Sequence, residues 1–184
     1  MDTKLKADIA ESATVTELLK RGFRVLKPVG DRLPYDLAVE INGKLIRLQV
    51  KSAWFDNSDG VYLVDTRRTK TNRRQMVRQN YGQQDFDFAI IYIEDLHVFY
   101  VMPVSVFTSY GSNISLVETN KRQRKPKSAE YRDRWELLSI WATQSEMIEK
   151  SSVKFGEALT GNTEPSPAIG GKGVETRRRT SNTF

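Results

Sequence analysis

Asp36, Gln49 and Lys51 place a carboxylate, an amide and an amine within a segment whose pattern predicts a β-hairpin. Apolar and polar residues alternate on both sides of Asn42-Gly43, a dipeptide that favours a two-residue type I′ turn. Because such a turn fixes the pairing register, Asp36 should lie directly opposite Gln49, with their Cβ atoms roughly 5 Å apart and Lys51 diagonal at roughly 7–8 Å. The hairpin therefore groups three functional side chains on one face.

This set of side chains suits the metal-assisted hydrolysis of a phosphodiester. Two oxygen donors at that separation can share one hard divalent cation, and an adjacent ammonium can orient or help to deprotonate a water molecule on the metal. The simpler alternative is a surface hairpin whose polar face contacts only water.

Glu11 favours the metal site over the simple surface hairpin. The periodic segment 3–21, followed by Gly22 as a helix-ending residue, predicts an amphipathic helix that carries Glu11 on the same stripe as Leu18. An acid on an apolar stripe is unfavourable without a partner. A cation held by Asp36 would supply that partner, with the helix lying across the hairpin.

Two clusters of basic residues indicate a nucleic-acid partner. The net charge is +6, from 29 Lys and Arg against 23 Asp and Glu. The candidate DNA-binding residues are Arg67, Arg68, Lys70, Asn72, Arg73, Arg74 and Arg78 in the first cluster, and Lys121, Arg122, Arg124 and Lys125 in the second. Such clusters supply the phosphate contacts that dominate nucleic-acid affinity, although a single cluster is more simply a solvated loop.

The two clusters differ in composition. The first is rich in Arg, whose planar fork binds O6 and N7 of guanine, and its interspersed Asn72, Gln75 and Gln79 carry amides that suit adenine. We therefore expect the first cluster to read bases and the second, a mixture of Lys and Arg, to bind the DNA backbone.

Composition excludes several other kinds of site. With no Cys and a single His, the sequence excludes disulfides, zinc clusters and nucleases that hold their metal through His, and it leaves an oxygen-only metal site. No apolar run reaches the roughly 18–20 residues of a membrane span, and the polar N-terminus has no signal-peptide core. We expect a cytoplasmic protein that does not bind membranes.

The chain should form one domain over residues 1–150. Three further strands and a second helix are predicted over residues 60–65, 86–93, 98–106 and 128–149. Residues 151–184 are rich in Gly, contain Pro and end near three consecutive Arg, so we expect a disordered basic tail there.

Several segments, in their order along the chain, resemble one known family. Glu11 on a helix, Asp36 on a strand and Gln49-Val50-Lys51 on the next strand resemble the PD-(D/E)xK nuclease superfamily. The resemblance is closest to the group I intron-encoded homing endonuclease of cyanobacteria, and it covers most of the chain up to about residue 141. It rests on GDRLPYDL (30–37), LQVKS (48–52), TNRR (71–74), DFDFA (85–89) and VETNKRQRKP (117–126).

Two positions depart from the superfamily pattern. Tyr35 separates Pro34 from Asp36, which costs little because Pro34 only fixes the start of the strand. Gln49 replaces the second acid, and a neutral amide oxygen is a poorer metal ligand than a carboxylate. The intron-encoded branch is understood to carry Gln here, so the resemblance implies an active variant, whereas chemistry alone also permits a site that only binds.

The resemblance implies an α/β fold with a restriction-endonuclease-like core, in which helices flank a central mixed β-sheet. It implies that Glu11, Asp36, Gln49 and Lys51 are catalytic. Mg²⁺ would be held by the first three residues, with the carbonyl of Val50 as an additional ligand, and Lys51 would position the attacking water.

The activity implied is site-specific, Mg²⁺-dependent cleavage of double-stranded DNA in the service of intron mobility. One site per chain requires at least a dimer to cut both strands, and the resemblance implies a homotetramer. Two alternatives stay open. A structure-selective nuclease, such as a junction resolvase, would use the same site on branched DNA, and a catalytically inactive DNA-binding protein would share the charge pattern without the metal dependence.

Overall fold

The computed structural model describes residues 2–30, 32–71, 76–119 and 126–145, without the side chains of residues 70, 71 and 76. Several predicted features lie outside the described residues: the 151–184 tail, Asn72, Arg73, Arg74, Lys121, Arg122, Arg124 and Lys125.

The described chain forms a mixed α/β domain. In chain order its elements are helix α1 (Thr3–Lys20), strands β1 (Arg24–Leu26), β2 (Leu37–Ile41), β3 (Lys44–Ser52), β4 (Trp54–Asp56), β5 (Val61–Asp65), β6 (Arg67–Thr71), β7 (Met76–Asn80), β8 (Phe88–Ile93) and β9 (Val98–Pro103), helix α2 (Val104–Phe107), strand β10 (Asn113–Leu116) and helix α3 (residues 136–145). Two short 3-10 turns lie at Thr108–Tyr110 and Lys127–Tyr131.

Local signals set both ends of α1. The helix begins after Asp2, whose side chain accepts a hydrogen bond from the backbone N–H of Lys4 at 3.2 Å. It ends before Gly22, whose φ of 80° is a conformation that favours a residue without a Cβ. The backbone N–H of Phe23 closes the end by donating to the carbonyl of Leu18 at 3.0 Å. The predicted helix is confirmed.

The predicted hairpin is formed by β2 and β3. Asn42 and Gly43 both have positive φ angles, of 53° and 74°, as a type I′ turn requires. Leu37 pairs with Leu48, in the predicted register. Asp36, the residue before β2, consequently lies opposite the residue that follows Leu48, which is Gln49.

The central sheet has the strand order β1-β2-β3-β8-β9, with β3 and β8 parallel and all other neighbours antiparallel. Strand β8 is buried on both faces, which explains its uninterrupted apolar sequence. Phe88 and Ile90 face a core that includes Leu18 of α1 and Leu138 of α3. Alternate residues, such as Ile91, face a second core with residues of β5, β10 and α2. The expected central mixed sheet is confirmed, but strands as well as helices flank it.

The predicted strand over residues 60–65 is β5, which pairs with β10 and β4 in a separate three-stranded sheet. Strand β6 follows it after a single residue and, among the described strands, pairs only with β7, so these two strands form a ribbon of their own. None of the helices in the described part of the chain is long and apolar enough to cross a membrane.

The prediction of one continuous helix over residues 128–149 is wrong in its first part. After the 3-10 turn Lys127–Tyr131 the chain extends, and Arg132 bridges to Tyr100 on the edge strand β9. Asp133 has a φ of 53°, and its backbone N–H donates to the carbonyl of Phe99 at 2.7 Å. These bonds satisfy the exposed edge of the sheet, and the helix starts only at residue 136.

Candidate active site

The hairpin places Asp36 in a partly buried position beside two donors. One carboxylate oxygen, Oδ2, accepts a hydrogen bond from the backbone N–H of Val50 at 2.7 Å and another from the side-chain amide of Gln49. Burial raises the pKa of Asp36 to about 6, because the backbone hydrogen bond and the neighbouring lysines only partly offset the loss of solvent. The charge of the carboxylate is therefore only partly compensated, and a cation would supply further compensation.

The Asp36 carboxylate and the Val50 carbonyl both lie next to the side-chain amide of Gln49. Its Nε2 atom donates to Oδ2 of Asp36 and lies 3.2 Å from the carbonyl oxygen of Val50. Two oxygens within hydrogen-bonding distance of one atom are close enough to bind one hard cation. A half-turn of the Gln49 amide would turn its own oxygen, Oε1, toward the same point. The donors present thus fit a divalent cation.

Lys51 lies next to this group of oxygens. Its Nζ donates to the backbone carbonyl of Arg67 at 2.9 Å and lies 5.0 Å from the centroid of the Tyr81 ring. Burial lowers the pKa of Lys51, and the carboxylates of Asp36 and Asp65 oppose this shift. Tyr81 and Asp65 are neighbours of the site that the sequence analysis missed.

Glu11 reaches the same pocket from α1, but its partner is a lysine. The ammonium of Lys27 lies 2.8 Å from the Glu11 carboxylate, and this carboxylate raises the pKa of Lys27. The sequence analysis missed Lys27, because this residue lies 16 positions away, directly after β1. The ion pair already compensates part of the charge of Glu11 without a metal.

A single open pocket of about 610 Å³ unites the predicted site. It is lined by Glu11, Asp36, Gln49, Val50 and Lys51 together, so the structure brings every predicted metal-site and catalytic residue to one place. The same pocket is lined by Lys6, Arg67, Arg68 and Arg78, which make its surroundings basic.

The pocket does not offer a metal centre made only of acidic or imidazole side chains. Among the residues that the structure describes, no three His, Cys, Asp or Glu side chains are grouped closely enough to hold an ion. A cation here would therefore depend on the amide oxygen of Gln49 and the carbonyl of Val50 as well as on the acids.

The described residues of the first basic cluster lie on the β6-β7 ribbon, whose strands pair from Arg67 with Asn80 to Thr71 with Met76. A two-stranded ribbon fits the major groove of B-DNA. The guanidinium of Arg67 is held by Asp65 at 3.0 Å, and that of Arg78 approaches the same carboxylate at 3.7 Å. Arg67 therefore braces the base of the ribbon and lacks the free fork that base reading needs.

Comparisons with known proteins agree with this geometry. A family model described as PD-(D/E)XK endonuclease matches residues 1–138. The solved structure of I-Ssp6803I, a bacterial homing endonuclease, has 55% sequence identity and a TM-score of 0.73, with 79% of this chain and 99% of that chain covered.

The solved structure of MepB has 13% identity and a TM-score of 0.43, with 65% of this chain and 94% of that chain covered, which is too weak a likeness to support an inference. A search of curated proteins gave no match. The family match over most of the chain and the 55% identity to a solved relative together show that the chain belongs to the PD-(D/E)XK endonuclease family.

Proposed function

We propose that this endonuclease is of the homing type and cuts double-stranded DNA at a specific site with the help of Mg²⁺. The observation that carries the proposal is the convergence of the Asp36 carboxylate, the Gln49 amide and the Val50 carbonyl beside the ammonium of Lys51. The similarity to a bacterial homing endonuclease supports the biological role, which is the mobility of an intron.

The residues divide into those that hold a cation and one that acts on water. Asp36, Gln49, the carbonyl of Val50 and Glu11 would hold the ion. When bound, a divalent cation polarises the phosphate and lowers the pKa of a water molecule. Lys51 has three N–H donors, and one of them donates to the Arg67 carbonyl. The others would orient the attacking water and stabilise charge on the phosphate.

The basic surroundings of the pocket supply DNA affinity. The described side chains Lys6, Arg68 and Arg78 line the pocket, and the β6-β7 ribbon starts beside it. We propose that the ribbon enters the major groove and reads bases, and that the second cluster, from Lys121 to Lys125, binds phosphates.

Cutting both strands requires more than one chain, because each chain carries one candidate site. We propose at least a dimer, and the family resemblance favours a homotetramer. We further propose that the protein acts in the cytoplasm, where a bacterial DNA target would lie, and that residues 151–184 form a separate basic tail.

The test uses the DNA target that the homing role itself specifies. The proposed role places the reading frame inside an intron, so a linear duplex is built by joining the two sequences that flank that intron, and it is incubated with the protein and Mg²⁺. We expect one double-strand cut near the junction, with no cut in a scrambled duplex or in the presence of EDTA. Preferred cutting of a four-way junction would indicate a structure-selective nuclease, and tight binding of the duplex without any cut would indicate an inactive DNA-binding protein.

A further inference from the structure

At the base of the β6-β7 ribbon, the start of β6 and the residue that follows β7 both contact the ammonium of Lys51. Arg67, the first residue of β6, accepts a hydrogen bond from Nζ through its backbone carbonyl at 2.9 Å. Tyr81, the residue after the last position of β7, places its ring centroid 5.0 Å from the same Nζ. Because Arg67 pairs with Asn80, these two contacts come from directly neighbouring points at the base of the ribbon.

The base of the ribbon is fixed by bonds of its own. The Asp65 carboxylate accepts from the backbone N–H of Arg67 at 2.9 Å and from its guanidinium at 3.0 Å. Thr66, between β5 and β6, is buried, and its backbone N–H donates to the carbonyl of Ser112 at 3.0 Å. The Arg67 carbonyl therefore has a defined position toward Lys51, set by the ribbon and by β5.

The ring of Tyr81 is fixed from the other side by the protein core. It is 8% exposed and packs edge-on against Phe86 with a centroid separation of 5.1 Å, and more distantly against Phe107 at 6.4 Å. An aromatic face attracts an ammonium without neutralising it. Tyr81 can therefore hold Lys51 in place while leaving its charge available to a phosphate.

We propose that Tyr81 and the Arg67 carbonyl position Lys51, so that the seating of the ribbon on DNA and the cleavage of the phosphodiester are coupled through these two contacts. This inference rests on the proposed function, because it assigns Lys51 a part in cleavage. Tyr81 is a positioning residue in this account, since it acts on the reaction only through Lys51.

The experiment compares three variants on the intron-junction duplex. Tyr81→Leu removes the aromatic face, and Tyr81→Phe keeps it. Phe107→Leu removes a different ring from the same core cluster and leaves the contact between Tyr81 and Lys51 in place. Single-turnover cleavage is measured with Mg²⁺ and saturating protein, and DNA affinity is measured separately with Ca²⁺. Each variant is assayed at a temperature at which its near-ultraviolet circular dichroism matches that of the wild type.

We expect Tyr81→Leu to lower the single-turnover rate at least tenfold while the DNA dissociation constant changes less than threefold. Tyr81→Phe and Phe107→Leu should both cleave within threefold of the wild type. If Tyr81→Leu does not fold, Tyr81→Met, which fills a similar space without an aromatic face, takes its place in the same comparison.

Two outcomes would overturn the inference. Cleavage by a folded Tyr81→Leu variant within threefold of the wild type would show that Lys51 does not need the ring. An equal loss in Phe107→Leu, or a loss in Tyr81→Phe, would show that the effect comes from core packing or from the hydroxyl group. If the wild-type protein itself does not cut the duplex, both the proposed function and this inference are wrong. If the wild type and Tyr81→Leu cut equally well, the proposed function stands and only this inference is wrong.

Discussion

The ammonium of Lys27 lies 2.8 Å from the carboxylate of Glu11, at the edge of the pocket that holds Asp36, Gln49 and Lys51. A cation that uses Glu11 as a ligand must displace this lysine or share the carboxylate with it. At the proposed metal site, Lys27 would therefore compete with the metal for Glu11.

Removal of that competitor should strengthen metal binding. We expect Lys27→Met to raise the affinity of the DNA-free protein for Mg²⁺ or Mn²⁺ about two- to tenfold, because a positive charge near the site disappears. Isothermal titration calorimetry measures the change, and Lys20→Met, at the far end of α1, is the control. An unchanged or lower affinity in Lys27→Met would show that Glu11 does not contribute to the metal site.

Burial of Asp36 makes a prediction about stability and pH. Its pKa is raised from 3.8 to about 6, so the folded protein holds this proton more tightly than the unfolded chain does. The stability that this proton contributes is complete below about pH 4 and is lost as the pH rises through about 6. The ionised carboxylate therefore destabilises the metal-free protein at neutral pH.

Asp36→Asn should consequently be more stable than the wild type in EDTA, by about 1–3 kcal/mol above pH 6 and by almost nothing near pH 4. The Asn oxygen can still accept the Val50 N–H bond. Urea denaturation across this pH range measures the difference, and Mg²⁺ should reduce it by stabilising only the wild type. If the wild type is as stable as Asp36→Asn, or more stable, at pH 7 without metal, burial does not raise the pKa of Asp36.

Gln49→Glu tests why an amide occupies this position. A glutamate cannot donate to Asp36 as the amide does, so two carboxylates would face each other without metal. We expect the metal-free variant to be less stable by about 1–3 kcal/mol, to bind Mg²⁺ more tightly, and to cleave at an equal or lower rate. If cleavage occurs only in the Glu variant, the natural protein is a DNA-binding protein without nuclease activity.

The two basic clusters should respond differently to substitution. Arg73→Ala, in the first cluster, should weaken binding to the true site by about 1–3 kcal/mol and relax preference at particular base pairs. Lys121→Ala should weaken binding to specific and scrambled duplexes equally and reduce the salt dependence by about one phosphate contact. Titrations of both duplexes at several salt concentrations distinguish the two effects. No change in either variant would place the DNA-facing surface elsewhere.

The parts of this site that depend on local rules could be predicted from the sequence. Asn42 and Gly43 fix a turn whose geometry alone aligns Asp36 with Gln49, and no distant contact is needed for that alignment. The same holds for the end of α1, where Gly22 adopts the conformation that closes a helix.

The parts that depend on distant contacts could not be predicted. Lys27 meets Glu11, and Tyr81 meets Lys51, only because the sheet brings separate elements together. The continuous helix expected over residues 128–149 failed for a related reason, since Asp133 binds the edge strand through Phe99 in preference to continuing a helix. The ribbon was missed because its strands, RRTKT and MVRQN, lack the apolar alternation that marks a half-buried strand.

Cleavage of the intron-junction duplex by the wild type and by Lys51→Ala tests the central claim most directly. The account predicts that the wild type cuts both strands at one position with Mg²⁺, and that Lys51→Ala loses cleavage while its fold and its DNA affinity stay nearly unchanged, because this ammonium acts chiefly in the transition state. Cleavage by Lys51→Ala within tenfold of the wild type would contradict the assignment of this pocket as the catalytic centre.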